Sequence, residues 1–356
     1  MKTQLFLSHL YSLDDMGFLS RSLADTLSNN TIIKAVPDFT AVSDIDEIFE
    51  EKLNETSDNI KTIIQYLDTN LIEYHSAYKN IVIFHDKHYV RRNRSLLSKL
   101  SFGDEFWVFD EQNLQFLLDY KISSKKIKIV GFPYSHHRLP LPKVIPPSST
   151  SNFLTVTDIF GIENVESLIF NFLLLFHDQN NIKFNVYIKC FKSSDLNFYE
   201  TLFNDLLTRV KSNLFLTTTK NIESLIKITV ANPYEDYENY INLQVNNHCY
   251  INLDNTIQPD VITAFRLNKY LLSICDIGNI LYFNPENIID TTNCNYRRTF
   301  NESGYLQHYI NEYNLYPKIN DTSIQSLLIS TLKELKNNKK MSYKQVNRKG
   351  FYDHSF

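Results

Sequence analysis

Pro133 to Ser151 reads PYSHHRLPLPKVIPPSSTS and holds five of the ten prolines in a chain of 356 residues. Proline fixes φ, lacks a backbone N–H, and resists both a helix interior and a central strand. The stretch is therefore an extended linker. It closes a first part at residue 147 and opens a longer second part, each of ordinary domain size.

Strands and helices alternate on both sides of it. In the first part, Gln4–Leu10, Thr31–Val36, Asn80–Phe84, Glu105–Phe109 and Lys126–Val130 read as buried strands. Helices are predicted over Gly17–Leu27, Ser95–Leu100 and Glu111–Tyr120, with helical or irregular segments over 43–78. In the second part, strands are predicted at Asn152–Val156, Phe184–Cys190, Leu214–Thr218, Cys249–Leu253 and Ile280–Phe283. Helices are predicted at Val165–His177, Asp195–Lys211, 221–228, 234–243, Pro259–Asn268, Ser303–Tyr313 and Ser323–Lys336. Short apolar runs separated by amphipathic stretches indicate βα units and a mostly parallel sheet. The fold class is α/β, with two Rossmann-like domains facing a cleft. In such sheets ligands bind outside the carboxyl ends of the strands. Epimerases and phosphorylases share this architecture, so it places a site without naming a reaction.

Composition excludes several classes. Net charge is −4, which gives no strong pull toward nucleic acid or anionic membrane. Cys190, Cys249, Cys275 and Cys294 lack metal or disulfide spacing and read as buried thiols in a reducing compartment. The longest strongly apolar stretch, Leu168–Phe176, falls far short of the ~20 residues that span a bilayer. No signal peptide is expected after Met1. The expectation is a cytoplasmic protein, peripheral at a membrane at most, with no integral membrane segment.

Three segments resemble the GT-B glycosyltransferases, in particular the large retaining group that uses nucleotide-sugar donors. NIVIFHD, Asn80–Asp86, is similar to the acceptor-domain strand that ends in His-Asp. Asp104–Pro133 is similar to the last unit of that domain. Asn152–Phe191 with His248–Leu272 is similar to the donor-domain units that bind the nucleotide-sugar. The resemblance implies an acceptor domain at 1–147 and a nucleotide-sugar-binding domain at 148–300. Helices at 301–336 would pack back on the domains, and 337–356 would form a polar tail. It also implies a nucleotide-sugar co-substrate, with no metal and no further cofactor. The chain departs from the pattern at the donor grip. The two glutamates fall at Asn255 and Thr263, the motif glycine at Gln258, and the diphosphate lysine at Ile162-Glu163-Asn164. Tyr11–Gly17 stands where a glycine-rich loop is usual.

The candidate residues follow from position and chemistry. His85 and Asp86 end a strand. An imidazole can hydrogen-bond a sugar hydroxyl near neutral pH, and a carboxylate can serve as base. Asn255, Thr256, Gln258 and Thr263 surround a helix start, where backbone N–H groups attract anions and uncharged side chains can hold sugar hydroxyls. Lys189 is the candidate for the donor diphosphate, with Arg266 and Lys269 as second choices. His9, Tyr11 and Arg91 are candidates for the acceptor, the last within the basic run Lys87–Arg94. His136-His137 lacks further spaced ligands and does not make a metal site. The acceptor stays open among a glycan, a lipid-linked glycan, a protein and modified DNA, and so does the oligomeric state. The competing reading is a catalytically inactive binding or partner subunit of the same shape.

Overall fold

A computed structural model describes residues 2–27, 29–36, 53–67, 71–85, 99–133, 150–216, 222–254, 258–267, 269–274, 287–294, 296–300, 306–310 and 316–337. The first βα unit shows why the local sequence folds as it does. β1 (Gln4–Ser8) is an apolar run, and α1 (Asp15–Thr26) begins where the Asp14 carboxylate accepts from the Gly17 N–H at 2.8 Å. Gly17 is obligatory there, because a Cβ would lie 1.9 Å from the Ser12 carbonyl oxygen. Arg21 of the same helix donates to the carbonyls of Leu10 and Ser12 at 2.7 and 2.9 Å and so fixes the loop.

The chain continues through β2 (Thr31–Ala35), β3 (Thr62–Tyr66), β4 (Lys79–Phe84), β5 (Glu105–Val108), α2 (Glu111–Asp119) and β6 (Ile127–Ile129). Their sheet has the order β2-β1-β3-β4-β5-β6, and every pairing in it is parallel. β3 lies within the stretch read as helical or irregular. TIIQY carries consecutive β-branched residues, and pairing with both β1 and β4 turns that preference into a central strand.

At the amino ends of β4, β5 and β6, Glu105 receives Lys79 Nζ and Lys128 Nζ, each at 2.6 Å, and the Trp107 indole N–H at 2.7 Å. Burial alone would raise this carboxyl. The hydrogen bonds from Lys128, Lys79 and Trp107 outweigh it and hold the group at about 2, against an ordinary 4.5. Its stabilising contribution is therefore complete above pH 4.5 and disappears as pH falls toward 2. Glu105→Gln should cost about 1–2 kcal/mol at neutral pH, the exposed lysine ends reducing the effect. Urea unfolding at pH 7 and at low pH checks this: the gap between variant and parent should shrink with acid.

The second series runs β7 (Ser151–Thr157), α3 (Ile162–Phe176), β8 (Ile182–Lys189), α4 (Leu196–Asn213), α5 (Ile222–Leu225), β9 (Ile226–Ala231), α6 (Tyr237–Val245), β10 (Cys249–Asn252), α7 (Pro259–Arg266) and β11 (Tyr270–Ser273). The parallel sheet has the order β11-β10-β7-β8-β9. Counted from its own first strand, this is the Rossmann order 3-2-1-4-5. Its core is aromatic where α3 meets the sheet: Phe172 stacks on Phe184 with ring centres 4.7 Å apart, and Phe153 and Phe176 flank it. Met1–Leu139 falls in one compact unit and Pro140–Lys344 in another, the border lying inside the proline-rich segment.

Three sequence expectations are corrected in the second unit. Leu214–Leu216 is not the start of a strand. Phe215 adopts φ 57°, and the Leu216 N–H bonds to the Lys211 carbonyl, which is a helix-terminating turn. The strand comes later, at β9; of the helix predicted over 221–228, only Ile222–Leu225 forms, as α5. Ile226, Ile228, Thr229 and Val230 are β-branched and pair along β8. Leu306–Ile310 is likewise a strand and not a helix. Here β14 (Leu306–Ile310) pairs antiparallel with β13 (Tyr296–Phe300), beside a second antiparallel pair of β12 (Thr291–Cys294) and β15 (Tyr316–Ile319). The closing helix α8 (Asp321–Lys336) packs on α3 through Ile324, Leu328 and Leu332. The expected strand at 280–283 and the tail at 338–356 lie outside the described residues.

Candidate functional site

The carboxyl edge of the first sheet carries the polar and aromatic groups. The switch in strand order lies between β1 and β3, and ligands of such sheets bind at that edge. His9 follows β1 directly but is only 1% exposed, so its ring belongs to the wall of the edge and not to its surface. Tyr11 is half-buried in the following turn. His85 follows β4 and is half-buried. Its Nδ1 lies 3.4 Å from the Tyr66 hydroxyl at the end of β3. Its ring meets Phe109 edge-on at 5.3 Å and Phe132 at 6.2 Å. Three neighbouring strand ends thus fix the orientation of one imidazole, which sequence position alone did not show. Asp86 and Arg91 lie outside the described residues.

In the second sheet the switch lies between β7 and β10. Gly161 begins α3 after β7, and a Cβ there would meet Thr157 Oγ1 at 2.2 Å, so the turn closes tightly over the strand end. At β10, Asn252 Nδ2 donates to the Asp254 carbonyl at 2.9 Å and to Ser273 Oγ at 3.0 Å, which holds the start of the β10–α7 loop. Asn255 and Thr256 in that loop lie outside the described residues. Gln258 is the buried residue that precedes α7, with Pro259 at the first helical position. Thr263 is buried, and its hydroxyl donates to the Pro259 carbonyl at 2.9 Å within the helix.

Lys189 has a different part from the one expected. Its Nζ lies 2.9 Å from Asp260 Oδ2, with side-chain exposures of 2% and 3%. Asp260 sits in the first turn of α7 and also accepts from the Tyr240 hydroxyl, which in turn accepts from Gln244 Nε2 at 2.7 Å. In this structure its charge is matched by that buried carboxylate. It ties the end of β8 to the start of α7 instead. Lys269 is excluded as well: it precedes β11 at the amino edge, buried, with Nζ on the Val245 carbonyl at 2.5 Å. Asn164, in the first turn of α3, accepts from the Ile319 N–H at 3.2 Å and so anchors β15.

Sequence reasoning missed Tyr66, Asp110, Tyr240 and Asp260. Asp110 and Asp260 carried a local signal, as acids at predicted helix starts. Tyr66 and Tyr240 carried none. Among the described residues, no group of three or more His, Cys, Asp or Glu is placed to hold a metal ion. No helix in those residues is long and apolar enough to cross a membrane.

No family model and no curated protein sequence matches the chain. Solved structures do. Anabaena HepE in complex with UDP and glucose superposes with a TM-score of 0.51 at 9% identity, over 77% of this chain and 80% of HepE. The fold is GT-B-like. The HepE complex with UDP-glucose gives the same TM-score and coverage at 10% identity. A glycosyltransferase from Rickettsia africae ESF-5 aligns over 76% of this chain and 79% of its own, at 12% identity and a TM-score of 0.48.

Proposed function

We propose that this chain is a glycosyltransferase that takes a sugar from a nucleotide-linked donor. The donor is held at the carboxyl edge of the second sheet, and the acceptor at that of the first. One observation carries the reading: α7 opens directly beyond β10, one of the two strands at the order switch, in a chain whose fold resembles HepE, a protein solved with UDP, glucose and UDP-glucose.

In the reaction the bond from the sugar anomeric carbon to the diphosphate oxygen breaks, and the electron pair leaves with the diphosphate. An acceptor oxygen bonds to that carbon and gives its proton to a base. Asp86 is the proposed base, and His85 the hydrogen-bonding partner of the transferred sugar. Asn255, Thr256 and Gln258 hold donor hydroxyls, and the start of α7 offers its N–H groups to the diphosphate. Tyr11 and Arg91 attend the acceptor. Holding both substrates in register accounts for most of the rate in this scheme. The scheme uses the nucleotide-sugar as co-substrate, with no metal.

A thermal-shift screen with UDP, UDP-glucose and other nucleoside diphosphates tests it. Ligand at about a hundred times its dissociation constant adds about 2.7 kcal/mol, enough to raise the melting temperature by a few degrees. If no nucleotide shifts the melt and no sugar is released from any donor, the chain is a binding or partner subunit. His85→Ala should lower turnover at least about tenfold with an unchanged melting temperature. Unchanged turnover removes His85 from the site.

A further inference from the structure

Asp110 follows β5 and caps α2. Its Oδ1 is fully used, accepting from the Asn113 backbone N–H at 2.7 Å and from Asn113 Nδ2 at 2.8 Å. Its Oδ2 accepts from no group among the described residues, although the residue is only 5% exposed and that oxygen is withdrawn from solvent. A carboxylate oxygen held away from water without a donor is costly, and native structures rarely keep one without use. Capping does not require it, since asparagine or serine caps a helix as well as aspartate does.

Asp110 lies at the carboxyl end of β5, the edge where ligands of parallel sheets bind. Phe84 and Val108 are partners in the β4–β5 register, so His85 stands level with Phe109, and Asp110 is the next residue outward. His85 is the half-buried imidazole that Tyr66, Phe109 and Phe132 hold in place.

We infer that the carboxyl edge at β4 and β5 is a carbohydrate subsite, where Asp110 Oδ2 accepts a hydrogen bond from a ring hydroxyl beside His85. The chemistry selects this class. A hydroxyl supplies the donor that the oxygen lacks and adds no charge. A phosphate-rich acceptor would set like charge against Asp110, and an apolar one would leave the oxygen unmet. The inference rests on the transferase reading, because it names the class of the acceptor.

Asp110→Asn separates the two oxygens. The amide oxygen keeps the cap, while an NH2 donor replaces the orphan acceptor. The full chain is titrated by saturation-transfer NMR against methyl glycosides of glucose, galactose, mannose and N-acetylglucosamine, with ethanolamine as an ammonium control. At least one glycoside should bind the parent, and D110N should weaken it at least about tenfold with no loss of melting temperature. Asp110→Ser, which also keeps a capping oxygen, serves if the amide variant fails to fold. No glycoside bound by the parent, equal binding by the variant, or binding of ethanolamine alone overturns the inference. UDP is titrated in parallel and should bind parent and variant alike. If no nucleoside diphosphate binds and no sugar is released from any donor while glycoside binding still depends on Asp110, the transferase reading falls and the sugar subsite stands.

Discussion

Lys189→Met is expected to destabilise the protein by about 3–5 kcal/mol, because it leaves the Asp260 carboxylate buried without its counter-ion. The pair is almost wholly enclosed, at 2% and 3% exposure, so solvent does little to screen it. Tyr240 cannot take over the charge. Burial first, then the negative charge of Asp260 and the hydrogen bond to it, raise its pKa well above the ordinary value, so it remains a neutral donor. The double variant Lys189→Met with Asp260→Asn should recover much of the loss, since no charge stays behind and the amide oxygen still accepts from Tyr240. Urea unfolding of the two single variants and the double gives the coupling directly. If the single losses simply add, the pair is not the tie between β8 and α7. The position gives the result a functional edge, because the first turn of α7 follows the proposed donor loop.

The second large effect has the opposite sign. Lys269→Met should stabilise the protein by about 2–4 kcal/mol at pH 7 and below, the lost bond to the Val245 carbonyl offsetting part of the gain. Burial lowers the Lys269 ammonium from 10.5 to about 7. Between those values the unfolded chain holds a proton that the folded chain has released. Parent stability therefore rises with pH across the interval, by up to about 1.4 kcal/mol per unit. Below pH 7 both states are charged and the parent carries the full burial cost. Above 10.5 both are neutral and the cost is gone. Unfolding free energies at pH 6.5 and pH 10 should show the advantage of the methionine variant fading with alkali; a constant difference would mean that Lys269 is charged throughout.

These two lysines show where sequence reading stops. By sequence, Lys189 at a predicted strand end and Lys269 beside the following predicted helix are both reasonable partners for an anion. The pattern gave the elements of the Lys189–Asp260 pair correctly, with β8 ending at Lys189 and α7 opening at Pro259. It did not give the distance between elements 71 residues apart, and that distance decides whether the ammonium meets a ligand or Asp260. His85 shows the same division: the strand end was legible in NIVIFHD, but the Tyr66 hydroxyl beside it comes from a strand that was not read at all.

What the sequence determined by itself is local and periodic. Apolar runs, helix-starting acids and the proline-rich segment specify alternating βα units, because side-chain period and backbone φ are properties of a short stretch of chain. The tertiary structure decided the rest: that TIIQY and IKITVA become strands, that Leu306–Ile310 pairs as a hairpin, and which polar groups are spent on one another. A strand is completed by its neighbours, and a buried charge or an orphan oxygen such as Asp110 Oδ2 exists only once distant segments have closed around it.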